Sequence, residues 1–481
     1  LDGVVRRLLR VLGKVLLAML LLVLGLLVAG VAPVDRRPVE TLPCYGEARQ
    51  RLSDPSAAGL ETVRVGELRA GFGKALLSPT LGAEHDDGEA GRFVTLPLAG
   101  YGNRQGRPAE GIHDDLWAKA VAFCVGGRTG VVVSADLLII PREVSADAAR
   151  RVATRCGVEP EALYFGATHS HSSLGGWGKG LVAEAFAGGF QPAVRLWMAH
   201  QLAEAAVSAV RDLTPATLGE ARFQADDLVR NRLVGDAGRV DGTFALMRFR
   251  QSDGDSATVG SYAAHATVIS GGSMQFGGDY PGYWQRGVES VSGGMALFLA
   301  GAVGSHAPRP PEGGVDGAKR MGEELARRSV EALSKVETRG RAALGWATLV
   351  TPLPLLQPRI TDGWRVREWV ARRFLPVGSE SRLQALRIGS SVWLSTPCDY
   401  SGELALELKE ATADLGLQIA VTSFNGDYLG YVVPARYYGM NTYETRVMAF
   451  FGPQLPFHFD GLLKDLVRRA AREAPPAASP P

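Results

Sequence analysis

Almost wholly apolar runs of strand length alternate along this chain with stretches whose apolar residues return every three to four positions, the pattern of strands interleaved with amphipathic helices. Thr129 to Ile140 reads as a strand buried on both faces, and Ala162 to Thr168 as a second. Further strands are predicted at Phe244 to Arg250, Ser261 to Val268, Met295 to Gly301, Ala342 to Leu355, Ala385 to Ser395 and Leu417 to Thr422. Helical spacing covers about Pro192 to Val210, Gly317 to Ser334, Gly402 to Leu415 and Gly461 to Arg472. The mixture predicts an α/β (mixed α+β) fold: a single large domain of mixed sheets flanked by helices, with site loops at the sheet ends.

The N-terminus breaks this pattern. From Val15 to Val34 the chain carries no charge, and about twenty residues at 1.5 Å each are enough to cross a hydrocarbon core of about 30 Å. Arg6, Arg7, Arg10 and Lys14 precede the run, and the positive-inside rule keeps such a flank cytoplasmic. We read a transmembrane anchor that places everything after Asp35 on the periplasmic or extracellular side. A cleaved signal peptide, which would leave a secreted protein, is the alternative, although its apolar core usually spans only about 7–15 residues. The organisation expected is a basic cytoplasmic N-terminus at 1–14, the anchor or signal peptide at 15–34 and a linker at 35–65. One large domain follows at 66–473, with a Pro/Ala-rich disordered tail at 474–481.

Composition narrows the function. Lysine and arginine number 52 against 50 aspartates and glutamates, so there is no basic excess of the kind nucleic-acid binding requires. The four cysteines, Cys44, Cys124, Cys156 and Cys398, lack CxxC spacing and give no zinc-knuckle or thioredoxin-like signal. In an exported domain some of them could pair; Cys124, inside an apolar run, reads as a buried free thiol. Oligomeric state is not legible.

Candidate chemistry concentrates where the strand ending at Thr168 runs into His169-Ser170-His171-Ser172-Ser173-Leu174-Gly175-Gly176. Residues two apart on a strand share a face, so both imidazoles can address one pocket, and neutral imidazole is a preferred ligand for a zinc-like ion. Other segments follow in order around this run: Gly111-Ile112-His113, Asn231-Arg232, Ala264-His265-Ala266-Thr267-Val268, Gly278-Asp279-Tyr280-Pro281-Gly282-Tyr283 and Gly301-Ala302-Val303-Gly304-Ser305-His306-Ala307-Pro308. Thr396-Pro397-Cys398-Asp399-Tyr400, Asn425-Gly426-Asp427-Tyr428-Leu429-Gly430-Tyr431-Val432 and Tyr443-Glu444 ahead of Phe451-Gly452-Pro453 complete the set. Their order and content resemble the catalytic domain of the neutral/alkaline, non-lysosomal ceramidase family. The resemblance runs from about Arg69 to about Pro456, without the immunoglobulin-like sandwich that follows the catalytic domain in related ceramidases.

The resemblance implies a metal-dependent hydrolase of linear amides, with one Zn2+ per chain and a lipid or other N-acyl amide as substrate. It implies His169 and His265 as imidazole ligands and a carboxylate as the third. The family glutamate after Pro-Gly is replaced by Asp399 after Pro397-Cys398; aspartate is an acceptable ligand one methylene shorter, and Glu403 is an alternative. A tyrosine completes the family site: Tyr431 is favoured here, with Tyr428 second. His171 is then a proton-handling residue, Arg232 an anchor for a polar group or oxyanion, and Ser305 a catalytic serine, whether nucleophile or polariser of the amide. The family Gly-Asp-Val-Ser-Pro pattern is altered around Ser305, where the aspartate is missing. His113 is expected to shape the site wall, His200 and His306 to be ordinary hydrogen-bonded histidines, and Gly175 to Gly180 to form a flexible pocket wall. Asp279 reads equally as a turn former and a site residue. Trp364, Trp369, Phe374, Arg367, Arg372 and Arg373 read either as a membrane-surface stretch or as an amphipathic helix packed inward.

Overall fold

The computed structural model describes residues 2–54, 63–375 and 377–472; the side chains of residues 2–4, 22, 23, 26 and 27 lie outside the described set. Its framework is a mixed sheet of twelve strands among the described residues. The strand Arg64–Leu76 is the hub: it pairs antiparallel with Trp117–Val125, Thr214–Gln224 and Arg341–Pro352. Its Gly71 and Gly73 admit the helix Pro192–Arg211 at close range, since an added Cβ would lie 2.2 Å from Ala209 O and from Ala205 O respectively. The helix meets them with buried small residues, Ala205, Ala206 and Ala209, so helix and sheet pack as two closely spaced layers.

Three arms leave the hub, and each ends in a parallel pair: Arg128–Ala135 with Leu163–Ala167, Ser256–Tyr262 with Met295–Ala300, and Ser391–Ser395 with Gln418–Thr422. These pairs converge at their carboxyl ends. Gly301 bridges to Thr422, the Ser423 N–H donates to Ala300 O at 3.0 Å, and the hydroxyls of Tyr164 and Thr422 lie 2.6 Å apart. Ligand sites in open α/β sheets form outside such carboxyl ends.

The mixed α/β domain is therefore as expected, with local corrections. The strand expected from Ser261 to Val268 occupies Ser256–Tyr262, leaving His265 in the loop beyond it. The strand from Thr129 stops at Ala135, and His169 and His171 likewise lie past the end of Leu163–Ala167. Ala385 to Ser395 is two strands, Glu380–Ile388 and Ser391–Ser395, turning at Gly389 with φ 58°. All four cysteines are free, and Cys124 is half-buried.

At the N-terminus a helix spans Asp2–Gly30, and Val31–Pro33 is a strand paired with Trp364–Val366, so the end of the expected anchor is sheet instead. Among the described residues no helix is long and apolar enough to cross a membrane, and the transmembrane expectation gains no support. The segment expected as a linker contains the helix Pro43–Ser53, whose Ala48 and Leu52 are buried against Leu349 and the C-terminal helix. The tail at 474–481 lies outside the described residues.

Candidate metal centre

Every candidate ligand follows one of the converging strand ends. His169 comes two residues after Ala167, His265 three after Tyr262, Asp399 four after Ser395, and Tyr428 and Tyr431 beyond Thr422. His169 holds φ 61° and Phe424, two residues past Thr422, holds φ 64°, a left-handed conformation uncommon for side chains of this size. The two rings stack with centroids 4.1 Å apart and planes within 11°. It is this turn, and not alternation along a strand, that brings His169 and His171 into one pocket.

The imidazoles meet nitrogen to nitrogen. His169 Nε2 lies 2.8 Å from His265 Nε2 and 3.3 Å from His171 Nε2. Asp399 Oδ1 is 3.5 Å from His169 Nε2 and 3.8 Å from His265 Nε2, and Tyr431 Oη is 3.4 Å from His265 Nε2. His169, His171 and His265 form a group able to hold a metal ion, with Asp399 on the His169/His265 side.

Hydrogen bonds to backbone carbonyls fix the tautomers. His169 Nδ1 is 2.7 Å from Leu138 O, and His265 Nδ1 is 3.2 Å from Val303 O. A carbonyl only accepts, so each Nδ1 carries the proton and each Nε2 presents a bare lone pair. Two lone pairs 2.8 Å apart cannot bond to each other. Nor is the repulsion relieved by protonation: burial pushes His169 down to about 3 and His265 well below its ordinary value. The fully buried Asp399 Oδ1 lacks a hydrogen-bond partner, and burial pushes that carboxyl up to about 7 against the opposing pull of Tyr428 and Arg232. Two imidazole lone pairs and an orphaned carboxylate oxygen within 3.8 Å of one another are donors able to hold a metal ion, with Nδ1–H to carbonyl bonds as orienting contacts.

His171 is held differently. Its Nδ1 has no partner, its ring packs on Tyr101 with centroids 4.9 Å apart, and burial keeps it neutral. Gly100, at φ 112°, makes room for it: a Cβ there would lie 2.7 Å from His171. Its Nε2, 3.3 Å from His169 Nε2, belongs to the same group of nitrogens able to hold a metal ion, but no carbonyl fixes its tautomer at the distances that fix His169 and His265.

Around the donors stands a charged layer. Arg232 Nη2 donates to Tyr431 Oη at 2.8 Å, and its Nε lies 3.0 Å from Glu444. Burial works against the Arg232 charge, but Tyr431, Glu444 and Asp399 outweigh it and hold the guanidinium protonated. Tyr428 donates its hydroxyl to Asp399 Oδ2 at 2.8 Å, so Tyr431 contacts an imidazole and Tyr428 the carboxylate. Phe424 and the Leu138 and Val303 carbonyls escaped the sequence reading; a positive φ on phenylalanine and a backbone acceptor leave no residue-type signal. Glu444 was visible as a motif, without a role.

Ser305 is fully buried 2.8 Å from both His306 Nδ1 and Ser401 Oγ, with no hydrogen bond to the three clustered histidines. His306 Nε2 accepts the Asp241 N–H at 2.8 Å, so in its neutral form Nδ1 carries the proton and donates to Ser305. His306, which burial pushes down to about 4, therefore cannot take a proton from Ser305. The second carboxylate candidate, Glu403, is committed elsewhere, to Asn231, the Arg239 N–H and Arg436. His113 bonds Tyr283 at 2.9 Å, and His200 lies beside Glu89 and Glu204. Asp279 accepts the Ile269 and Tyr280 N–H groups and so pins the loop after His265. Trp177, Gly178 and Lys179 of the glycine-rich loop line a cavity of about 300 Å³ whose walls are mostly apolar, Val182, Phe186, Leu375, Phe450 and Tyr428, with Arg142, Glu143, Arg195 and Asp427 adding charge. Tyr428 joins this largely apolar cavity to Asp399.

Residues 81–301, which include His169, Arg232 and His265, match the family described as neutral/alkaline non-lysosomal ceramidase, N-terminal. The match is confined to that stretch, a little under half of the chain. A neutral ceramidase from Mycobacterium tuberculosis is 25% identical over 233 residues, 44% of this chain, and the match spans 36% of that relative's length. The crystal structure of neutral ceramidase from Pseudomonas aeruginosa shares the fold, with a TM-score of 0.70 at 19% identity over 86% of this chain and 76% of that one. A solved structure titled as ceramidase complexed with C2 gives a TM-score of 0.69 at 17% identity over 86% of this chain and 77% of its own. The fold match therefore extends well past residue 301, where Asp399 and Tyr431 lie.

Proposed function

We propose that this protein is a zinc-dependent amidohydrolase that cleaves the N-acyl bond of ceramide-like lipids, releasing a fatty acid and a sphingoid base. The observation that carries the reading is the pair of bare Nε2 lone pairs of His169 and His265 beside the orphaned Asp399 oxygen. His169, His265, Asp399 and Tyr431 would hold one ion per chain, and mixed nitrogen and oxygen donors suit zinc. When bound, such an ion polarises a carbonyl and makes a neighbouring water acidic near neutral pH.

The chain's own groups do the rest. His171 takes a proton from the attacking water and returns it to the departing amine nitrogen, so the water oxygen joins the acyl carbon as the C–N bond breaks. Arg232, fixed by Tyr431 and Glu444, offers N–H donors to the oxygen that gains charge. Ser305, bonded to His306 and Ser401, supports the Arg232 segment through its carbonyl, which accepts the Arg232 N–H at 2.9 Å. The apolar cavity beside Tyr428 suits an acyl chain. We place the domain outside the cytoplasm, tethered through the N-terminal helix; a tether raises the effective concentration of an enzyme whose substrate stays in a bilayer.

Asp399 in place of the family glutamate favours a second reading, a hydrolase of the same fold acting on another amide or ester of the cell envelope. A non-catalytic lipid-binding protein is the third. Metal analysis of the purified protein, paired with hydrolysis of a fluorescent ceramide before and after chelation, separates them. About one zinc per chain with chelator-sensitive fatty-acid release supports the first. Zinc without ceramide cleavage points to the second, and no metal under zinc-replete conditions to the third.

A further inference from the structure

Of the eight tryptophans in the chain, only Trp364 and Trp369 are exposed, at 52% and 57%, and Phe374 is exposed at 50% within the same short segment. The sequence left this stretch between a membrane surface and an inward-packed helix. The structure removes the second option, because the helical part, Glu368–Ala371, buries Ala371 alone. The acids within the segment are consumed locally: Asp362 pairs with Arg359 at 2.7 Å and Glu368 with Arg372 at 2.5 Å. Arg365, Arg367 and Arg373 make no ion pair with a carboxylate among the described residues, and Arg36, which donates to Asp362 O at 3.0 Å, adds charge beside them. Aromatic rings with arginines between them are the composition found where a protein meets lipid headgroups.

The segment is also fastened to the end of the apolar N-terminal helix. Trp369 Nε1 donates to Ala29 O at 3.0 Å, the Arg367 N–H to Gly30 O at 2.8 Å, Arg367 Nε to Val31 O at 2.9 Å and Arg365 Nε to Pro33 O at 3.1 Å. These bonds satisfy carbonyls that a helix end leaves open and fix the aromatic rings around it. The described apolar side chains of that helix, from Val5 to Val28, are themselves exposed. In the other direction the segment runs into the cavity wall, where Leu375 and Val377 face the space shared with Tyr428.

We propose that residues 364–374 are a docking surface for an anionic phospholipid bilayer, which holds the apolar cavity beside the metal centre close to the lipid. The rings enter the headgroup layer, the arginines meet lipid phosphates, and an acyl chain leaving the bilayer passes Leu375 and Val377 toward Tyr428. The docking itself requires neither metal nor catalysis, so its failure and the failure of the hydrolase reading are separable.

The test is tryptophan fluorescence of the full chain mixed with vesicles carrying acyl-brominated lipids, made of phosphatidylcholine alone or of equal parts phosphatidylcholine and phosphatidylglycerol. Quenching should be strong with the anionic vesicles and disappear in Trp364→Phe/Trp369→Phe. Arg367→Gln/Arg373→Gln, with an unchanged melting curve and metal content, should reduce it to the level seen with phosphatidylcholine alone. Quenching that persists in the double tryptophan variant, that is equal in both lipids, or that is absent altogether overturns the proposal.

Discussion

At the scale of single residues, the centre is set by two imidazoles, His169 and His265, whose Nε2 lone pairs face each other at 2.8 Å. Their Nδ1 protons are committed to Leu138 O and Val303 O, and burial opposes a second proton on either ring. His169→Ala should therefore abolish metal binding and lower hydrolysis by about 1,000-fold or more, read by metal analysis and initial rates on the same sample. Zinc retained at one per chain would remove His169 from the ligand set. Arg232 gives a contrasting expectation, since its task is directional donation. Arg232→Lys keeps the charge and loses the fork held between Tyr431 and Glu444, and should keep its metal while kcat drops about 100-fold. A rise in KM with kcat unchanged would mean that Arg232 does not meet the developing charge.

At the scale of elements, the centre is assembled by three parallel strand pairs whose carboxyl ends meet, and this decides what the sequence could reveal. The strands Leu163–Ala167 and Gln418–Thr422 and the helices Pro192–Arg211 and Gly314–Ser334 were visible from periodicity to within a few residues, because burial imposes a period on apolar residues. The site residues were visible as residue types in order. Their meeting was not, because residue 169 and residue 399 approach only through long-range sheet order and two left-handed turns. Apolar content likewise said nothing of whether the N-terminal run ends in helix or, as at Val31–Pro33, in a strand. The loop geometry makes its own prediction. Gly100→Ala would force a side chain into the space of His171 at a φ of 112°, so proton transfer should suffer while the metal stays. We expect kcat to fall about tenfold or more with zinc still near one per chain; an unchanged kcat would show that His171 tolerates displacement and is not the proton carrier.

At the scale of the whole molecule, buried neutral histidines tie stability to pH. His458 bonds Thr351 at 2.9 Å and fastens the helix Leu455–Ala470 to the strand Arg341–Pro352, and burial pushes it down to about 4. Because its folded pKa lies below the unfolded value near 6.5, its contribution is intact above that value and is lost as pH falls from 6.5 toward about 4. The loss reaches roughly 3 kcal/mol. His458→Gln should flatten the fall in melting temperature across that window, and parallel curves for the two proteins would show that another group controls acid unfolding. Metal removal acts on the same balance by a different route. An ion bound only by the folded state stabilises it in proportion to the logarithm of its saturation, about 4 kcal/mol at a thousandfold excess over Kd. Chelation also leaves the two Nε2 lone pairs facing each other at 2.8 Å with nothing between them. The melting temperature should therefore drop by a few degrees on chelation and return on adding zinc. Asp399→Ala, which takes away the third donor, should melt at one temperature with or without chelator. If the unaltered protein behaves like that variant, no ion sits among His169, His265 and Asp399, and the hydrolase reading loses its foundation.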